Sequence, residues 1–551
     1  MIFCTSWISS GDIVPTHLVN LDALIKREDF EVKEDAPPQP SQLSHTIKVN
    51  ELEPGNFLYQ TLRKPDFQRE TANWTPHKIK DFIKSFIDGD LIPSIILWRA
   101  PDTANIFVID GAHRLSALIA WVHDDYGDRA VSVDFFENLI PDEQKKAAET
   151  TRRLVNEEIG SYRALSEALK HPEHAAPEML RRARNLSALA VQLQWVQGDA
   201  RKAETSFFKI TQEATPIDPT ELQMIEARAE PNALAARALI RSGVGHKYWS
   251  AFPKANQEEI ERHAREIYDT LFKPVLEEPI KTLDLPVAGR GYSAGSVKLM
   301  FDFVNLANGL IERQGSKAKA KTDQEREDRK DKDGTETIRY LKKVKKIASR
   351  VSGDSPGSLG LHPAVYFYGA TGRYQPTAFL AVVKLIEHLD STNSFARFTR
   401  HRSRFEEFLL QYRYFINQIV TKHGSGRRGY DPVFNLYKKV LAGTERNDTN
   451  ERIVAELRAT EFRYLTELTQ EDKQKASFSS ETKSTAFLRD AIDKALRCAI
   501  CKARIHRKSI SFDHIKRKDD GGVGTVENAQ MTHPFCNTGY KESLHARTAT
   551  N

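Results

Sequence analysis

The residues best suited to chemistry lie close together near the C-terminus, in the stretch CAICKARIHRKSISFDHIKRKDDGGVGTVENAQMTHPFCNTGYK. It opens on Cys498-x-x-Cys501 and closes on His533-x-x-Cys536. Two short knuckles at this separation suit one tetrahedral zinc ion, each loop supplying two ligands while the intervening chain forms a hairpin. With all four positions filled by protein the zinc is expected to be structural, a staple for a module too small to hold a large core. Inside that frame stand Asp513 and His514. A carboxylate is a hard ligand for Mg²⁺ or Mn²⁺, and an imidazole can take a proton at neutral pH.

With the Asp-His pair, the Gly521-Gly522 turn, Asn528 and the final Cys536-Asn537 all in order, the stretch resembles the HNH endonucleases of the ββα-metal type with a zinc frame. The resemblance implies roles position by position. His514 would be the general base that activates water against a phosphodiester. Asp513 and Asn537 would hold the catalytic divalent metal, Asn528 would pin the loop that orients His514, and Lys541 would touch phosphate. The alternative is a nucleotide-responsive DNA-binding regulator whose zinc ribbon only binds.

The chain that must position this site has 551 residues, room for several domains. It carries 28% charged residues and a net charge of +6, compatible with DNA as a partner. Three of its four cysteines belong to the knuckles, so no disulfide framework is implied and a cytoplasmic setting is expected. No apolar run reaches the ~18 residues of a membrane span.

Residues 1–46 read as an extension with a Pro-rich linker at Pro37, Pro38 and Pro40. From residue 47 the pattern becomes that of a folded domain. Thr75-Pro76 opens a helix whose apolar positions are Ile79, Phe82, Ile83, Phe86 and Ile87, and Gly89 closes it. Two β-rich runs follow, Leu91–Trp98 and Ile106–Ile109, the second turning through Asp110-Gly111-Ala112-His113-Arg114 into another helix. A strand that ends in Asp-Gly and turns into a helix lets an anion approach the first helical N–H groups, with Arg114 as a clamp.

Phe67-Gln68-Arg69, Trp74, the Ile92-Pro93-Ser94 strand and IDGAHR together resemble the ParB/sulfiredoxin-like domain of GmrSD-type restriction enzymes, over roughly residues 50–225. Phe207–Gln212 continues the match as an aromatic-rich strand, with DGAHR in place of the commoner DGQQR. The resemblance implies that residues 47–230 bind a nucleoside triphosphate, as a regulator or as a substrate for hydrolysis, with Arg69, Asp110, Gly111, His113 and Arg114 at the site.

Residues 231–313 and 336–485 are helical in pattern, and 314–335 is a charged linker or loop almost without apolar side chains. In the second helical region Arg397, Arg400, Arg402 and Arg404 alternate with Phe395, Phe398 and Phe405, and Arg427-Arg428 follow in a Gly-rich turn. These arginines are candidates for contact with DNA phosphates. The HNH module would occupy 486–551. The whole is read as an α+β, multi-domain protein: a ParB-like α/β N-terminal domain, helical middle regions and a ββα-metal HNH module. By resemblance it is a nucleotide-regulated DNA endonuclease of a bacterial anti-phage system, acting on modified or foreign DNA. One such site makes one nick, so a double-strand break would need a homodimer or two visits.

Overall fold

In the computed structural model the helix expected after Trp74 runs Pro76–Asp88. The Thr75 hydroxyl accepts from the Lys78 N–H, Pro76 fills the first turn, and Gly89 ends the helix at φ +80°. Glycine enters that left-handed conformation without strain. Ile79, Ile83, Phe86 and Ile87 are buried, each contributing ~1.5–3 kcal/mol of transfer free energy. The structure describes residues 18–28, 30, 43–68, 70–101, 103, 105–138, 140–213, 219–291, 294–310, 327–466 and 478–542.

That helix packs with a six-stranded mixed sheet made of β1 (Arg27–Glu28), β2 (Thr46–Lys48), β3 (Leu62–Pro65), β4 (Ile95–Arg99), β5 (Ile106–Asp110) and β6 (Ala190–Trp195). The order is β1-β3-β5-β4-β6-β2. Pairs β1/β3, β3/β5 and β4/β6 are parallel, and β4/β5 and β2/β6 antiparallel. β5 lies inside the sheet with Ile106, Phe107, Val108 and Ile109 buried, as a continuous β-branched and aromatic run covered on both faces should be.

Three expectations need correction. The segment before residue 47 is not wholly an extension: Val19, Leu21, Leu24 and Ile25 are buried in the main core, and β1 adds to the sheet edge. Asp22, 2% exposed, is fixed there by Arg27 at 3.0 Å and Lys64 at 2.6 Å. Phe207 and Phe208 sit on a helix, Ala200–Glu213, rather than a strand. The amphipathic spacing of that segment overrode its aromatic content. The strand expected from Leu91 begins only at Ile95, and Leu91 is fully exposed. Of the charged segment 314–335, residues 314–326 lie outside the described residues. At its end the Asp331 carboxylate accepts from the N–H groups of Gly334 and Thr337, and helix Thr335–Val351 starts there.

The chain divides into two units. The first holds residues 1–229, 244–251 and 292–294, and the second holds 230–243, 252–291 and 295–551. Within the second, helix Lys254–Phe272 packs on Thr335–Val351, and Pro376–Ser391 packs on Tyr430–Glu445. The sequence had set residues 486–551 apart as a separate module. They belong to the same unit as the helices of 336–466. Buried Glu406, on helix Phe395–Gln411, accepts from the Arg504 N–H at 3.0 Å, and the Phe535 N–H donates to the Ser358 carbonyl at 2.9 Å. The half-buried Lys508 ammonium also donates to the carbonyls of Asp269 and Lys273.

Candidate metal centre and nuclease site

Cys498, Cys501, His533 and Cys536 converge, their ligand atoms all within 4.8 Å of one another and all four residues buried. His533 Nδ1 lies 3.4 Å from Cys501 Sγ and 3.7 Å from Cys536 Sγ. A tetrahedron with Zn–S of about 2.3 Å and Zn–N of about 2.0–2.1 Å has an S···N edge of about 3.6 Å. The other ring nitrogen, Nε2, is 3.0 Å from the Arg504 carbonyl oxygen, so it carries the hydrogen and Nδ1 offers its lone pair.

The electrostatics also call for a cation. Cys501 and Cys536 hydrogen-bond to Cys498 and hold its thiol far below the usual range. That thiolate in turn pushes Cys501 up to about 12 and raises Cys536 as well. Burial, with Arg402 nearby, lowers His533 and keeps its ring neutral. One thiolate forms readily and three do not, unless a divalent ion is shared among them. The residues fit zinc.

One wall of this centre comes from helix Phe395–Gln411. Phe395, Phe398, Phe405 and Phe408 are buried on it, and so is Arg402, 1% exposed. The Arg402 guanidinium bonds Glu406 Oε1 at 2.7 Å and the carbonyls of Leu359 and Gly360. Glu406, fully buried, also accepts from the Tyr366 hydroxyl and, at 3.0 Å, from the Arg504 N–H of the zinc module. Burial opposes the charge on Arg402. Glu406, with Tyr366, Cys501 and Cys536, more than restores it, so its pKa lies above the ordinary arginine value. Gly360 approaches so closely, at φ +57°, that a Cβ there would lie 2.6 Å from Ser509 Cβ and 2.9 Å from His533 Cδ2.

Beside the zinc frame lies a hairpin of β7 (Ser511–His514) and β8 (Ala529–Thr532), followed by a helical run over residues 534–542. A π-helical turn, Cys536–Tyr540, carries Asn537, a local form often found at functional sites. Asn537 Nδ2 donates to Ser511 Oγ at 2.9 Å and to the Phe512 carbonyl at 3.1 Å. Lys541 Nζ reaches Asp513 Oδ1 at 2.8 Å, Oδ2 at 2.9 Å and the His514 carbonyl at 2.6 Å. Gln530, opposite Asp513 in the register, donates to Asp513 Oδ2 at 2.8 Å.

The Asp513 carboxylate is 6% exposed. It and the His514 carbonyl form an oxygen cradle already shaped around a cation, the Lys541 ammonium, and such a donor set fits a hard divalent ion that takes its place. Asn528 fixes the following loop, its side chain bonding Lys516 N, Lys516 O and Val523 O. The His514 ring stands at the end of β7, hydrogen-bonded to no described residue. The sequence missed Gln530, which stands on β8 two residues after Asn528, and it missed Glu406 altogether.

In the first unit, Asp110 ends β5, and Gly111, at φ +91°, opens helix Ala112–His123 with no side chain capping it. Arg114 folds back to Asp110 Oδ2 at 2.7 Å and to the Ser94 carbonyl at 3.1 Å. His113 stacks on Trp74 at 5.7 Å. Arg69 lies outside the described residues.

The arginine cluster divides. Arg402 is interior and paired, so it is corrected from a phosphate contact to a structural group. Arg397 is exposed and paired with Glu445, and Arg404 bonds Asn447 and Asp448. Arg400 is exposed with no described partner. Arg427 and Arg428 stand in the short turn Gly426–Arg428.

No described helix is long and apolar enough to cross a membrane. Comparison with known families gives two matches. The model for the GmrSD restriction endonuclease N-terminal domain matches residues 55–333, just over half of the chain, and that for the HNH endonuclease matches 498–543. Comparison with curated proteins and with solved structures gives no match.

Proposed function

The chain belongs to the GmrSD restriction endonuclease family, and from that premise we propose that it hydrolyses DNA phosphodiesters at Asp513 and His514. The observation that carries the proposal is the cradle at the end of β7. The buried Asp513 carboxylate faces the helical run bearing Asn537 and Lys541, and the neighbouring imidazole is hydrogen-bonded to no described residue.

In this reading the four-ligand zinc frame holds the hairpin, and Asn528 fixes the loop after His514. Asp513 and the Asn537 amide oxygen would hold Mg²⁺ or Mn²⁺. Such an ion, when bound, supplies Lewis-acid stabilisation of charge on the phosphate and leaving oxygen. His514 takes the proton from the attacking water. With Asp513 holding such an ion, the Lys541 ammonium would be free to meet the phosphate.

The finer reading concerns control. A nucleoside triphosphate is taken to bind at Asp110, Gly111, His113, Arg114 and Arg69. The N-terminus of helix Ala112–His123, which no N-cap side chain bonds, supports this, because the first-turn N–H groups of a helix suit a phosphate. Discrimination of modified or foreign DNA belongs to the same proposal.

Purified protein, supercoiled plasmid and Mg²⁺ or Mn²⁺ test the main claim on a gel. Wild type should nick the plasmid. His514→Ala should lose at least a hundredfold in rate, the low end for a general base, with zinc content and DNA binding retained. Cutting by His514→Ala near the wild-type rate would remove the catalytic assignment. DNA binding without cutting under any divalent ion would leave a binding ribbon.

A further inference from the structure

The surface around His514 is apolar to a degree that neither folding nor proton transfer explains. Phe512 is 68% exposed and Met531 37%, and they face each other in the β7/β8 register. Ile515, Val523 and Val526 are exposed beside them in the loop closing the hairpin. Side chains two apart on a strand share a face, so Phe512 and His514 look outward together, with Met531 and Ala529 as their cross-strand neighbours. Asp513 and Thr532 turn inward and are buried.

This outward face is also held rigidly. The Phe512 carbonyl accepts from Asn537 Nδ2, and the Met531 carbonyl accepts from the Ala499 N–H of the first zinc knuckle at 2.9 Å. An aromatic ring kept in water on a backbone braced at both strands is poised for contact rather than for packing.

We propose that Phe512, with Met531 and Ile515 beside it, is a wedge that enters the base stack next to the scissile phosphate and unstacks the duplex there. The occupant is fixed by continuity, for whatever His514 works on also lies over Phe512. This inference rests on the nuclease reading of His514. Two residues of strand span about 6.6–6.8 Å, so Phe512 stands within about two base steps of the phosphate on which His514 acts. Phe, Ile and Met are the side chains that proteins insert between base steps, and the unstacking is offset by the closer fit of the bent DNA. Lys516 and Lys518, exposed just beyond Ile515, lie within reach of the flanking phosphates. In mechanism the wedge is a positioning device, opening the backbone so that the phosphate seats against the His514 imidazole at the end of β7.

The experiment uses full-length protein. First, wild type and Phe512→Ala are compared on a duplex carrying the mapped nick site, fully paired or with a mismatch at the adjoining step. Wild type should outpace Phe512→Ala roughly tenfold or more on the paired duplex, in line with the loss of one base–aromatic contact. The ratio should fall towards one on the mismatched duplex, whose bases are already loosened. Zinc content and melting temperature should not change, since Phe512 is exposed. Second, 2-aminopurine at that step should brighten on binding His514→Ala protein and stay dim with the Phe512→Ala/His514→Ala double variant.

An equal loss on both duplexes, no loss on either, or no brightening with His514→Ala would overturn the wedge. So would a concentration-dependent self-association that Phe512→Ala abolishes, which would assign the face to a second copy of this chain. If no substrate is cut, the nuclease reading fails by itself. Duplexes with 2-aminopurine at successive steps then still decide the wedge: brightening with wild type that Phe512→Ala abolishes supports it, and none at any step overturns it.

Discussion

Replacing Arg402 with Met separates a structural arginine from a DNA-binding one. Met keeps the length of the side chain and removes the guanidinium. That leaves Glu406, fully buried, with only the Tyr366 hydroxyl and the Arg504 N–H, and strips the Leu359 and Gly360 carbonyls of their donor. Breaking a fully buried ion pair costs about 3–5 kcal/mol. For a cooperative unit of roughly three hundred residues, at about 2.1 cal/mol/K of unfolding entropy per residue, the melting temperature falls by roughly 5–8 °C. Because Glu406 holds Arg504, whose carbonyl holds His533, zinc should also pass faster to a colorimetric chelator. Calorimetry and chelator-trapped zinc release measure both effects. Arg402→Met with Glu406→Leu should recover much of the lost stability, since an apolar replacement of both partners no longer leaves a lone buried charge. The reasoning fails if Arg402→Met melts within about 1 °C of wild type while its DNA affinity drops and loses salt dependence. That result would return Arg402 to the phosphate-contact group.

Other expectations follow from the same geometry. Cys498→Ser, or zinc withdrawal by a chelator, should lower the melting transition of the whole second unit rather than of residues 486–551 alone, as domain-resolved hydrogen exchange would show. Glu387, which burial pushes up to about 7 despite Lys384 and Lys343, holds its proton more tightly folded than unfolded. Stability from that proton is present at pH 4–5 and is lost as pH rises through 7. Glu387→Gln should therefore stabilise at pH 8, by on the order of 1 kcal/mol after screening, and have little effect at pH 5, by denaturant titration at both pH values. Arg114→Ala should abolish triphosphate binding in calorimetry and make plasmid nicking indifferent to added nucleotide. Wild type that neither binds nor responds to any nucleotide removes the control reading.

The parts of the fold that the sequence disclosed are those set by local chemistry. Thr75, Pro76 and Gly89 mark the ends of one helix because capping and left-handed backbone are properties of single residues. The two knuckles announce a metal centre because ligand geometry demands a short loop with a ligand at each end. What stayed hidden depends on partners distant in the chain. An arginine between phenylalanines reads as an exposed cation, and only Glu406 one turn on, with the Leu359 and Gly360 carbonyls, reveals that Arg402 points inward. Asp22 likewise falls in the stretch read as an extension, and only its ion pairs with Arg27 and Lys64 show that it lies in the folded core.

These hidden contacts alter the picture of how the nuclease is organised. A module tethered by a linker could be regulated simply by swinging. Here the zinc centre shares Arg402, Glu406 and Gly360 with the helical body, and Lys508 ties it to the end of helix Lys254–Phe272. Movement of the HNH module against those helices would take the Arg504 N–H from the buried Glu406 carboxylate, at about 1–3 kcal/mol, and would open the close approach of Gly360 to His533. We therefore expect any control over cutting to act on the second unit as one body, or on the loop after His514. That loop, residues 515–528, rests on the side-chain bonds of Asn528 and leaves Ile515, Val523 and Val526 exposed, the face that the wedge proposal assigns to DNA.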